Sequence, residues 1–176
     1  MRPNAHFTAP ELLNPTNPIT VFLIGAGGTG SQVLTSLARM SHSLQALGHA
    51  GLHVTLWDDD TVTQANRARQ LFAACELGLP KAAALTLRCN RFFGTGWKAI
   101  TKKFDSSSGI AKAAIYISCV DTAAARFGIA EVLQQAGNRH YADTPRYWMD
   151  FWEREGYGAG RAVHYRDYPP TQIGEV

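Results

Sequence analysis

Residues Gly25 to Ser31 read Gly-Ala-Gly-Gly-Thr-Gly-Ser directly after the apolar run Ile19, Val21, Phe22, Leu23 and Ile24, and the segment that follows can form a helix. A strand, a glycine turn and a helix start in that order offer backbone N–H groups and the positive end of a helix to a phosphate. The turn makes a bound nucleotide the leading expectation. It does not separate a redox cofactor from ATP, and a purely structural turn is its alternative reading.

The rest of the chain repeats the alternation. Asn14-Pro15 and Asn17-Pro18 are turn formers that set residues 1–18 apart as a leader. Val33, Leu34, Leu37, Ala38, Leu44 and Leu47 fall at helical spacing from Thr29 until Gly48 and Gly51 break it. Leu52 to Trp57 predicts a second strand, ended by Asp58, Asp59 and Asp60. Pro80 suits the first turn of a helix that runs to Asn90, and Trp97 to Phe104 predicts a third strand. Ala113 to Val120 reads as a buried central strand, Thr122 to Gln135 as a helix, and His140 to Asp143 as a fifth strand. The expectation is an α/β fold of one domain: a Rossmann-like, doubly wound, mainly parallel sheet with right-handed crossovers.

Composition narrows the classes. With 176 residues, 45% hydrophobic, one substantial core is affordable and two are not. The net charge of +3 is scattered, giving no nucleic-acid footprint. No export or membrane segment is visible, and Cys75, Cys89 and Cys119 form no Cys-x-x-Cys pair, so a reduced, cytoplasmic protein is expected. Cys75 and Cys89 fall in expected helices and Cys119 in a buried strand, which marks all three as core thiols.

Ligands of open α/β sheets bind at the carboxyl ends of the strands, where the glycine turn and the three aspartates are expected to lie. Gly25 permits the tight turn, Gly27 lets the backbone approach a phosphate, and Gly30 allows helix to pack on strand. Asp58 is placed to hydrogen-bond ribose hydroxyls, the alternative being a solvated acidic turn, which fits Asp59 better. Downstream, Asn66, Arg69, Gln70 and Lys81 have a spacing that hydride transfer does not require. Breaking a phosphate bond calls for fixed cations and usually magnesium; Arg69 and Lys81 can supply the charge, against the plain reading of surface solubility. Asp121 can ligate magnesium, or cap the helix that begins near Thr122.

These elements resemble the ThiF, MoeB and ubiquitin-activating adenylyltransferase family. Gly25 to Ser31 is similar to its nucleotide loop, Trp57-Asp-Asp-Asp-Thr-Val62 to its acidic strand end, and Asn66-Arg-Ala-Arg-Gln70 to its Asn-x-x-Arg-Gln element. Gly78-Leu-Pro-Lys81 and Val120-Asp121 with Arg126 are similar to its remaining stations. More narrowly, Asn90 to Trp97 and Leu44 to Gly51 resemble the ThiF-like member of the PRTRC gene clusters. The resemblance implies ATP-dependent adenylation of a C-terminal carboxylate, commonly of a ubiquitin-like partner, with release of pyrophosphate. It implies a nucleotide site of Gly25, Gly27, Gly28, Gly30, Ser31, Asp58, Asp60, Asn66, Arg69 and Lys81, with Arg69, Lys81 and Asp121 catalytic and Asp121 positioning Mg2+. Gln70 is assigned no contact. Neither nucleic acid nor membrane is an expected partner, and a homodimer is implied.

The resemblance covers about residues 19–145 and implies a nucleotide-binding domain over residues 19–151, with the family's C-terminal half expected to be missing. From Trp152 the chain loses apolar period; a one-nucleotide shift on back-translation permits Gly-Asn-Gly-Arg-Asp-Thr-Gly-Gln-Val-Val, so residues 152–176 are expected to be a frameshifted tail, or else a divergent exposed one. An NAD-dependent oxidoreductase and a non-catalytic nucleotide-binding scaffold are the competing functions.

Overall fold

The computed structural model describes residues 8–105, 113–137, 147–154 and 157–164. After a short helix α1 (Pro10–Leu13), the elements are β1 (Ile19–Ile24), α2 (Gly28–Ala46), β2 (Leu52–Trp57), α3 (Lys81–Phe93), β3 (Lys98–Ile100), β4 (Ile115–Ser118), α4 (Ala123–Gly137), β5 (Tyr147–Arg154) and β6 (Tyr157–His164). Two 3-10 turns, Gln64–Ala68 and Ala74–Glu76, lie between β2 and α3.

The strands form one sheet in the order β3-β2-β1-β4-β5-β6. The first five are parallel and β6 returns antiparallel to β5. This is the doubly wound, mainly parallel arrangement expected from the alternation. Side-chain alternation along the strands builds two cores. Val21, Leu23, Val54, Leu56 and Ile117 meet Leu34, Leu37 and Ala38 of α2 and Ala82, Leu85 and Cys89 of α3 on one face. Phe22, Ile24, Trp57 and Tyr116 meet Ile129, Val132 and Leu133 of α4 on the other. The helices change face between β1 and β4, and a crevice opens at the carboxyl ends of the strands at such a point.

The local chemistry sets the ends of elements. α3 runs to Phe93, beyond the expected Asn90, because Gly94 supplies the left-handed residue (φ 69°) that lets its N–H reach Asn90 O. Asn90 then ties the following loop: Oδ1 accepts from Thr95 Oγ1 (2.6 Å) and Trp97 N (3.0 Å), and Nδ2 donates to Trp97 O (3.0 Å). Trp97 is buried, with its indole N–H on Leu52 O at 3.0 Å, so β3 begins after it and spans three residues instead of the expected eight. The fifth strand expected at His140–Asp143 lies outside the described residues; β5 begins at Tyr147. β5 runs past Phe151 to Arg154 and pairs with β6, so the region read as an atypical tail contributes strand structure. No described helix is long and apolar enough to cross a membrane.

Candidate functional site

A cleft of about 1010 Å³ opens at the carboxyl ends of β1, β2 and β4. Its floor is the turn between β1 and α2. Gly25 has φ +98°, and a Cβ there would stand 2.6 Å from Cys119 O, so the turn is held against the end of β4. At Gly30 a Cβ would lie 1.9 Å from Gly25 O, the close packing of helix on strand that only glycine allows. Gly27 differs: its φ is −74°, a Cβ would meet no atom within 4 Å, and the residue faces the cleft. Among the described residues no side chain caps α2, and its first turn holds no acid, so its leading N–H groups are left to the cleft, which Gly27, Gly28 and Thr29 line. Ser31 and Gly30 do not line it. Ser31 is fully buried and its hydroxyl donates to Gly28 O at 2.8 Å, a role within the helix.

The end of β2 is fixed by the same turn. Asp58 Oδ2 accepts from Ala26 N at 2.6 Å and Oδ1 from Asp60 N at 3.0 Å. Burial pushes its carboxyl above the ordinary value, while those two backbone donors and the Lys81 cation pull it back. A bridge between Thr61 and Pro80, with Val62 N to Leu79 O at 2.8 Å, clips the start of α3 to the end of β2. Lys81 is thereby only 6% exposed, its Nζ 2.7 Å from Asp60 Oδ2. A buried lysine held at a cleft wall by one largely solvated carboxylate is not a solubilising surface residue.

Asn66, Arg69 and Gln70 form another wall. The Asn66 carboxamide is partly committed: its Oδ1 accepts from Thr63 N (2.9 Å) and Thr63 Oγ1 (3.0 Å), capping the first 3-10 turn. Arg69 is exposed, and its carbonyl oxygen would lie 3.3 Å from a Cβ on Gly28, which sets this wall close over the glycine turn. Gln70 is buried, and among the described residues its Oε1 has no hydrogen-bond partner. Across the cleft, Asp121 is exposed at the end of β4. The helix cap that could have claimed it belongs to Thr122, whose Oγ1 accepts from Ala125 N at 3.3 Å.

Several lining residues were not singled out from the sequence. Lys102 and Lys103 follow the shortened β3 and add cations beside Asp58, whose N–H bonds Ile100 O at 3.1 Å. Trp57 and Phe104, stacked edge to face at 5.1 Å, give that end an aromatic wall. Cys119 packs half-buried against the core and also lines the cleft; burial, with Asp150 adding to it, pushes its thiol up to about 12, so it is a thiol and not a thiolate. Cys75 is exposed on the second 3-10 turn, contrary to its expected burial in a helix; Cys89 is buried as expected. An alternation pattern assigns strands and helices, but it carries no signal for which short loop residues border a crevice.

The ThiF family model matches residues 6–143. Escherichia coli tRNA N6-threonylcarbamoyladenosine dehydratase TcdA, solved in complex with ATP, superposes with a TM-score of 0.56 at 19% identity over 72% of this chain and 49% of that one. Escherichia coli MccB, solved with MccA-N7isoASN, superposes with a TM-score of 0.57 at 16% identity over 76% of this chain and 36% of that one. The chain thus spans about half the length of TcdA and about a third of MccB. No curated protein matches the sequence.

Proposed function

We propose that this chain, which belongs to the ThiF family, binds ATP in the cleft and adenylates a C-terminal carboxylate, that of a ubiquitin-like protein or another carboxylate-bearing protein, with release of pyrophosphate. The observation that carries this reading is convergence: the glycine turn, Asp58, the Asn66–Gln70 segment, Lys81 and Asp121 come from separate stretches of chain and border one cavity. The ATP in the TcdA structure supports it.

Each side chain has a role that its geometry suits. Asp58, fixed by Ala26 and Asp60 through one lone pair on each oxygen, keeps acceptor capacity for ribose hydroxyls. The α2 N–H groups, Asn66, Arg69 and Lys81 receive the phosphates, and Lys81 is pre-positioned by Asp60, so little reorganisation accompanies binding. No base is required, since a C-terminal carboxylate is ionised at neutral pH. Its oxygen forms a bond to the α-phosphorus as the bond to the bridging oxygen breaks, and pyrophosphate leaves with that electron pair. The residues hold the two reactants in line and balance the charge on the departing group.

Magnesium fits the same residues. Among the described residues no three His, Cys, Asp or Glu side chains come together as a metal cage. A single carboxylate beside a phosphate site is nevertheless what Mg2+ uses, the rest of its shell coming from phosphate oxygens and water. Asp121 would hold it, and the ion would supply further positive charge to the phosphates. The nucleotide-binding unit of this proposal is residues 19–151, whose sheet β5 and β6 carry on to His164, and a homodimer and a PRTRC-type setting belong to it.

The test is isotope exchange between ATP and pyrophosphate in the presence of small proteins with an exposed C-terminal glycine. Exchange that requires the free carboxylate, and vanishes when it is amidated, is the expected result. ATP binding with no exchange for any carboxylate would leave a nucleotide-binding scaffold and remove the enzyme.

A further inference from the structure

We propose that Arg126 is an oxyanion-binding residue of the cleft, held in position by a buried chain of Asp150, Ser118 and Trp148. Arg126 lies in the first turn of α4 and lines the cleft. Its Nε stands 3.4 Å from Asp150 Oδ2, with the two side chains only 19% and 15% exposed. The other Asp150 oxygen accepts from Ser118 Oγ at 2.5 Å, and Ser118 Oγ in turn accepts from the indole N–H of Trp148 at 2.9 Å. Ser118 is fully buried and Trp148 7% exposed, and Ser118 faces Asp150 in the β4–β5 register.

Such a chain is a poor way to gain stability, because desolvating an ion pair offsets most of its attraction. Burial does push the Asp150 carboxyl above its ordinary value, with the Ser118 hydroxyl and Arg126 opposing. What the chain does provide is direction. Trp148 fixes Ser118, Ser118 fixes Asp150, and Asp150 fixes a guanidinium whose planar fork of five donors can hold one carboxylate and meet a second oxyanion. The end of β4 abuts the glycine turn, with Cys119 O 2.6 Å from where a Cβ on Gly25 would stand. Arg126 is therefore on the opposite side of the turn from Asp58. Resting on the nucleotide reading above, the anion it meets is the one beyond the ribose: a phosphate, or the carboxylate that attacks it. Arg126 contacts that anion; Asp150 is a positioning residue.

The experiment uses the full chain and calorimetric binding of adenosine, ATP, pyrophosphate, and a short peptide ending in Gly-Gly as the free acid or the amide. Arg126→Gln is expected to weaken one oxyanion probe by about tenfold to a hundredfold, the range for a charge-assisted contact, and to leave adenosine unchanged. Loss on ATP and pyrophosphate assigns a phosphate, while loss on the peptide acid without loss on its amide assigns the carboxylate. Asp150→Asn, which preserves shape, is expected to weaken the same probe less, and Arg126→Lys to retain part of the binding. These two variants carry the test if Arg126→Gln does not fold. Effects under about twofold on every anion, or equal weakening of adenosine, overturn the proposal. Failure of the unaltered chain to bind ATP would instead overturn the function above, and the pyrophosphate arm still judges Arg126.

Discussion

Placing a methyl group at Gly30 and, separately, at Gly27 separates the two duties of the glycine turn. At Gly30 the added Cβ would lie 1.9 Å from Gly25 O and 2.9 Å from Gly25 C, where contacts under 3.0 Å are essentially never seen. Both atoms are backbone, so no side chain can rotate away, and α2 must lift off the end of β1. Overpacking of that kind costs about 3 kcal/mol or more, which for a chain of this length lowers the melting temperature by roughly 6–12 °C. At Gly27 the backbone angle is ordinary and a Cβ meets nothing within 4 Å, so Gly27→Ala is expected to change stability by less than about 0.5 kcal/mol. Its methyl group would instead stand at the phosphate approach and weaken ATP. Thermal melts and ATP titration of both variants are the assay. A Gly30→Ala protein that melts with the unaltered chain, or a Gly27→Ala protein that is the destabilised one, would refute the reasoning.

Three further outcomes follow from the same geometry. Lys81→Met is expected to keep stability within about 1 kcal/mol, because the buried stem is replaced by a flexible apolar one and Asp60 remains solvated, yet to weaken ATP by about tenfold to a hundredfold; a variant that unfolds but binds normally when folded would contradict it. Iodoacetamide should modify exposed Cys75 rapidly, while Cys119, its thiol pushed up to about 12, and buried Cys89 react slowly, as read by peptide mass spectrometry; equal rates would count against the placement. Asp150 in the folded chain holds its proton to higher pH than the ordinary 3.8, so folded protein binds more protons than unfolded between those values and stability falls as pH rises through that window. Urea melts of the chain and of Asp150→Asn from about pH 4 to about pH 7 should show the difference moving against the unaltered chain; a difference moving the other way refutes the assignment.

The sequence carries the parts of this fold that depend on pattern. β1, α2 and β2 follow from an apolar run, a glycine turn and helical spacing, and their bounds differ from the expected ones by at most two residues. Lys81 and Asp121 could be expected at the sheet edge because each follows a recognisable boundary, a proline helix start and the end of a buried strand. What pattern does not carry is the direction of a polar side chain. Ser31 turns back on Gly28, and Asn66 turns onto Thr63, both for local hydrogen bonds that compete with the cleft. Thr122, not Asp121, takes the α4 cap, a choice that depends on one residue's offset. β3 is short because Asn90 and Trp97 hold the preceding loop, and that brings Lys102 and Lys103 out of the expected strand and into the cleft lining. The Ser118–Asp150 contact joins residues 32 positions apart and exists only once β4 and β5 pair.

Calorimetric titration of the chain with ATP and Mg2+, beside an identical titration with NAD, tests the central claim most directly. The account predicts a single saturable ATP site that Lys81→Met and Arg69→Ala each weaken, with no comparable heat from NAD. Saturable binding of NAD at the same cleft, with none of ATP, would contradict it.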